Sequence, residues 1–113
     1  NIEIKQIKKY ENIKYALDSN IPLEVILYKY EKEDVQFVSE LFKYYTKKDI
    51  DNVKLKIHSF NDVEITSKEI IDTINLKPGP WIKDIISQIE KNILLDKLNN
   101  RKEEIIDFLL RIK

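Results

Sequence analysis

Cysteine is absent from this 113-residue chain, and glycine occurs once, at position 79. Without cysteine there is no disulfide framework and no thiolate metal site, which fits a cytoplasmic setting. Net charge is lacking too. Twenty basic residues offset twenty acidic ones, so no bulk field points to a nucleic-acid partner. No apolar run approaches the roughly twenty residues of a membrane-spanning helix, no targeting segment is visible, and no membrane role is expected. Repeats and low-complexity linkers are missing as well. Disorder is excluded by 42% hydrophobic content beside 35% charged residues, and the length suits one core. The first residue is Asn1 and not Met, so the chain is expected to be excised from a longer protein.

What is present is helical periodicity. Ile4, Ile7, Ile13 and Leu17 form a first strip, stopped by Asp18-Ser19-Asn20. A second helix starts around Asn20 or Ile21, before Pro22, and runs through Val25, Ile26 and Tyr30. A third begins at Glu33 or Asp34, with Val38, Leu41, Phe42 and Tyr45 on one face, and Lys47 to Asp51 break it. Val53 to Ile57 alternates like a strand but has no partner strand, so it reads as an extended connector. Thr66-Ser67-Lys68-Glu69 has capping-box spacing and fixes a fourth helix with Ile70, Ile71 and Ile74 inward. Trp81, Ile82, Ile85, Ile86, Ile89 and Ile93 make the fifth, and Asn100 caps a sixth through Ile105, Ile106, Leu109 and Ile112. The expected fold is an all-α compact bundle of about six helices in one domain: N-terminal helices over 1–48, a connector over 49–65, and a helix-hairpin-helix plus last helix over 66–113.

Between the fourth and fifth helices stands Leu76-Lys77-Pro78-Gly79-Pro80-Trp81-Ile82. Pro80 suits the first turn of a helix, Pro78 pushes Lys77 toward extended geometry, and Gly79 is expected at positive φ between them. From Val63-Glu64-Ile65-Thr66 through this turn to Leu98-Asn99-Asn100 and the final amphipathic stretch, the order of elements resembles the C-terminal body and tail of bacterial CCA-adding tRNA nucleotidyltransferases, a family shared with poly(A) polymerases. The resemblance covers Asp62 to Leu110. That family often has glycine where this chain has Ser67, Lys83 and Asp96. The resemblance implies an all-helical region that holds the tRNA elbow by shape and phosphate contacts. It also implies a separate N-terminal head and neck, in cis, that transfer nucleotides from ATP and CTP with magnesium.

The residues themselves hold no catalytic set. A nucleotidyltransferase head needs a Gly-Ser turn and paired aspartates for two magnesium ions, and here the sole glycine precedes proline. Glu33-Asp34-Val35-Gln36-Phe37 is similar to the family's base-reading Glu-Asp-x-x-Arg, but Phe37 donates no hydrogen bond where arginine must, so helix capping is the better reading. His58, Ser59 and Asp62 are neighbours in sequence, which makes no triad. Asp49-Ile50-Asp51-Asn52 lacks the glycine of a calcium loop. No metal or catalytic residue is therefore assigned.

RNA-binding candidates are Lys54, Lys56, Lys77, Gly79 and Lys83, which flank the connector and hairpin. A second patch comprises Lys43, Tyr44, Lys47 and Lys48, in which Tyr45 falls on the apolar face and leaves Tyr44 free. Trp81 is expected to fill the joint between the fourth and fifth helices. Two other classes remain open: a helical protein-interaction or homodimerisation module, and a helix-hairpin-helix DNA binder.

Overall fold

A computed structural model describes residues 3–113, and among these the regular structure is seven α-helices and one 3₁₀ turn, with no strand. The all-α expectation holds with one helix more than the sequence pattern suggests. Backbone contacts divide the chain into two compact units, Asn1–Leu55 and Lys56–Lys113.

The first unit contains α1 (Ile4–Asp18), α2 (Leu23–Lys29), α3 (Lys32–Phe42) and α4 (Lys47–Asp51). Its core joins Ile13, Ala16 and Leu17 of α1 to Leu23 and Ile26 of α2, Val35 and Val38 of α3, and Ile50 of α4. Two strips differ from the expected faces. On α1, Ile4 and Ile7 are exposed, because the inward face starts only at Ile13. On α3 the buried set is Val35, Val38 and Ser39, spaced three and four apart, so of the expected face Val38 is buried and Tyr45 packs on the core, while Leu41 and Phe42 point outward.

The additional helix is α4, where Lys47 to Asp51 looked like a breaker. Its start is a capping box: the Asp49 N–H donates to Thr46 Oγ1 at 3.1 Å, and the Thr46 N–H donates to Asp49 Oδ2 at 3.1 Å. Only Ile50 faces inward, so the turn has no apolar period, but two satisfied amides hold it.

The second unit carries the 3₁₀ turn (Phe60–Asp62), α5 (Ser67–Ile74), α6 (Trp81–Leu94) and α7 (Lys102–Ile112). The capping box read at Thr66 and Glu69 is formed, and Ile70 and Ile74 are buried as expected. Ile89, Ile93 and Leu94 of α6 and Ile105 and Leu109 of α7 are buried as well. Asn100 does not cap the last helix. Arg101 occupies that position, and the Asn100 side chain reaches back to the loop instead, where its Nδ2 donates to Asp62 O at 2.7 Å while its Oδ1 accepts from the Glu64 N–H at 2.8 Å. Val53 to Ile57 is irregular backbone, as an unpartnered segment must be, although helical turns shorten the connector at both ends.

Gly79 does not adopt positive φ. That geometry belongs to Asn20, Lys43, Asn75 and Asp96. Of the three places where the resembled family often carries glycine, only Asp96 needs it, since Ser67 and Lys83 are helical. A Cβ built on Gly79 would touch Trp81 Cδ1 at 3.5 Å, an ordinary contact. Gly79→Ala should therefore be neutral or stabilise by up to about 1 kcal/mol, because alanine restricts the unfolded chain. Lys43→Gly should stabilise by about 0.5–1 kcal/mol by removing a Cβ from left-handed backbone. Chemical denaturation of the two variants beside the parent chain measures both.

Candidate functional site

The hairpin between α5 and α6 is built from its own main chain. Asn75 ends α5 in left-handed geometry, its N–H bonded to Ile71 O at 2.8 Å, and irregular backbone leads on to Pro78. Pro80 is the N-cap of α6 with φ −59°, the angle its ring imposes. The Ile82 N–H donates to Gly79 O and the Lys83 N–H to Pro80 O, both at 3.2 Å. These tight turns use amides that a helix start otherwise offers to an anion. Any grip on phosphate here falls mainly to side chains.

Trp81 closes the turn. Its Nε1–H donates to Lys77 O at 2.7 Å, and the half-buried ring lines an apolar cleft of about 430 Å³ with Ile74, Leu76, Ile85 and Ile112. The indole thus lies at the joint it was expected to fill, with one side still open to the cleft. Leu76 beside it is 58% exposed.

The lysine candidates occupy three places. Lys77 and Lys83 are exposed on either side of the hairpin, and neither has an ion-pair partner among the described residues. Lys56 pairs with Asp96, which lies beyond the other end of α6, about 20 Å along the helix from Lys83 at 1.5 Å per residue. Lys54 is exposed and belongs to the first unit. Within the hairpin, therefore, only Lys77, Lys83 and the Gly79 backbone are brought together.

The second patch is continuous in sequence and lies wholly in the first unit. Lys43 is the left-handed C-cap of α3, Tyr44 follows it, and Lys47 and Lys48 open α4. All four are exposed.

Other polar groups singled out in the sequence turn out to hold the backbone. The His58 N–H donates to Asp62 Oδ2 at 2.8 Å, and Ser59 Oγ accepts from the Asn61 N–H at 3.3 Å, so the three residues build the 3₁₀ turn. Asp34 lies 3.3 Å from Lys9 Nζ and accepts from Gln6 Nε2 at 3.3 Å, tying α3 to α1. Asp51 pairs with Lys32 at 2.7 Å, and that hydrogen bond holds its carboxyl below the usual range. Thr46 does the same for Asp49. No three His, Cys, Asp or Glu side chains among the described residues approach as a metal-binding group would.

One pair, between α5 and α7, has no local sequence signal. Lys102 Nζ lies 2.7 Å from Glu69 Oε2, on the carboxylate that also completes the α5 cap. The Lys102 hydrogen bond, helped by the Thr66 N–H, lowers the Glu69 pKa from its ordinary 4.5, and Glu69 in turn raises Lys102 above 10.5. The Glu69 contribution is complete above pH 4.5 and disappears as pH falls through the lower folded value. The Lys102 contribution is complete below 10.5 and disappears as pH rises past its folded value. Acidification below pH 4.5 should therefore lower the melting temperature of the parent chain more than that of Glu69→Gln, as circular dichroism melts across that range will record.

Residues 1–109 match the family described as tRNA nucleotidyltransferase domain 2. The chain is 29% identical over 92 residues to the CCA-adding enzyme of Enterococcus faecalis, which covers 80% of this chain and 20% of that protein. It is 29% identical over 114 residues to the CCA-adding enzyme of Staphylococcus haemolyticus, covering 96% of this chain and 28% of that one. The crystal structure of the Bacillus stearothermophilus CCA-adding enzyme in complex with CTP shares the fold, with a TM-score of 0.75 and 18% identity over 98% of this chain and 31% of that chain. The chain thus spans less than a third of the length of these relatives.

Proposed function

The chain belongs to the tRNA nucleotidyltransferase domain 2 family, and from that premise we propose that it is the part of a CCA-adding enzyme that anchors tRNA at its elbow, while a catalytic head and neck elsewhere in the parent extend the 3′ end. The observation that carries this reading is the hairpin, where Lys77 and Lys83 stand exposed and free of ion pairs on either side of a main chain fixed by two prolines and the Trp81 hydrogen bond. Two exposed cations flanking one turn suit contacts to phosphates of an RNA backbone. Duplex RNA is recognised by shape and backbone, so no base-reading group is required. Lys54 and Lys56 add contacts elsewhere, with Asp96 competing for Lys56.

Nucleotide transfer itself belongs to the head. ATP, CTP and magnesium are handled there, and the reaction takes place in the cytoplasm with its tRNA substrate. None of the described helices is long and apolar enough to cross a membrane.

Two measurements test the reading. Filter binding of folded tRNA to this chain should give log affinity falling with log salt, each neutralised phosphate contributing roughly 0.7 to 0.9 to the slope. Lys77→Ala with Lys83→Ala should flatten the slope by about two contacts' worth and leave the melting temperature intact. Equal slopes would remove the hairpin from the interface, salt-insensitive self-association without tRNA binding would favour a dimerisation module, and preference for duplex DNA would favour a DNA binder. In the second measurement, the purified chain with tRNA, labelled ATP or CTP and magnesium should yield no extension. Extension that follows the pure chain would end the division of labour proposed here.

A further inference from the structure

Helix α3 buries its smaller residues and exposes its larger ones. The inward positions hold Val35, Val38 and Ser39, while Phe37, Leu41 and Phe42 face water. Core formation alone favours the reverse, since burying a leucine or phenylalanine stabilises more than burying a valine or serine. Beside them, Ile4 and Ile7 of α1 are exposed as well, and the five side chains are between 44 and 75% exposed.

These residues form one face of fixed shape. Gln6 and Lys9 reach Asp34, the Tyr10 and Phe37 rings lie 4.9 Å apart between centroids, and Lys14 Nζ sits 5.0 Å from the Phe42 ring centroid. The cross-links climb both helices together, so α1 and α3 run side by side in the same direction. Between them lies a groove of about 180 Å³, walled by Ile7 and Tyr10 on α1 and by Phe37, Leu41 and Phe42 on α3, with Val38 buried behind. Ile4 extends the apolar row one turn beyond Ile7. Leu41 is 61% exposed at the groove's edge, so the face carries a projection as well as a hollow.

We propose that this face docks a second copy of the chain about a two-fold axis, with Leu41 of each copy seated in the groove of the other. Area supports that occupant. At about 100 Å² apiece the five side chains leave roughly 500 Å² of apolar surface in water, near the upper limit for a monomer. A stable interface of standard size buries about 800 Å² on each side, rather more than half of it apolar, and the patch supplies that share. Charge supports it too. Glu11 and Lys14 stand one turn apart on the α1 edge of the groove, and a two-fold axis sets Glu11 of each copy against Lys14 of the other. Lys14 has donors left for this beyond its 2.8 Å bond to Asp18. With no net charge, two copies meet without long-range repulsion.

Sedimentation equilibrium of the whole chain tests this. The 13.6 kDa chain should double in mass, with a micromolar or tighter dissociation constant. Leu41→Lys should weaken association at least about tenfold, because two ammonium groups then meet near the axis. Glu11→Lys and Lys14→Glu should each weaken it as well. An equimolar mixture of those two variants should return to within about threefold of the parent affinity, since an edge with two cations then faces an edge with two anions. That rescue requires the two-fold arrangement and does not depend on how Leu41→Lys folds. A chain that stays monomeric up to about 1 mM overturns the proposal and leaves the face to another protein segment. Dimers indifferent to Leu41→Lys would place the contact elsewhere, and sensitivity to Leu41→Lys without rescue in the mixture, or open-ended association, would rule out the two-fold axis. The proposal stands apart from the tRNA reading, because Lys77 and Lys83 lie in the other unit. Measuring tRNA affinity of Leu41→Lys beside its sedimentation therefore tells failure of one from failure of the other.

Discussion

A chain with one glycine must turn its helices around on other residues, and the rest of this structure depends on how it does so. Asn20, Lys43, Asn75 and Asp96 take left-handed backbone where α1, α3, α5 and α6 end. Each reversal closes the orphan carbonyls of the preceding helix, as when the Tyr44 N–H reaches Ser39 O and the Lys97 N–H reaches Asn92 O at 2.8 Å. Side-chain caps begin the next elements at Thr46 and Thr66. Helix length is thus set by hydrogen-bonding side chains and tolerated strain, and the isoleucine-rich faces are cut to match.

How much of this could be read from the sequence depended on the kind of signal. The Thr66 box was legible because it sits directly before an apolar strip, so cap and periodicity agree. The same Thr-x-x-acid spacing at Thr46 carries a weaker signal because a five-residue helix with one buried isoleucine has no period to support it. On α3 the apolar residues outnumber the positions that can face inward, and nothing local chooses Val35 and Val38 over Leu41 and Phe42; packing against α1 and α2 decides it. Asn100 illustrates a different limit. Its side chain satisfies groups at residues 62 and 64, a pairing that exists only once the second unit has folded.

The candidate site shows the same division. The rigid Pro78-Gly79-Pro80 turn was visible in the sequence, but its geometry comes from the two prolines and the indole, while the glycine is conformationally ordinary. Lysines that are near in sequence separate in space: Lys56 turns to Asp96, while Lys77 and Lys83 remain free. A chain with no net charge can still carry unpaired cations on fixed backbone, and contacts between such charges and an anion act over a few ångströms, where the far field adds little at physiological salt.

Trp81 has a spectroscopic consequence. It is the sole tryptophan, held half-buried by its bond to Lys77 O in the second unit, whereas all six tyrosines lie between Tyr10 and Tyr45 in the first. The two chromophores therefore label the two units separately without any engineered dye. Tryptophan emission follows the hairpin, tyrosine absorbance follows the first unit, and excitation transfer from tyrosine to tryptophan gives an intrinsic ruler for the distance between them.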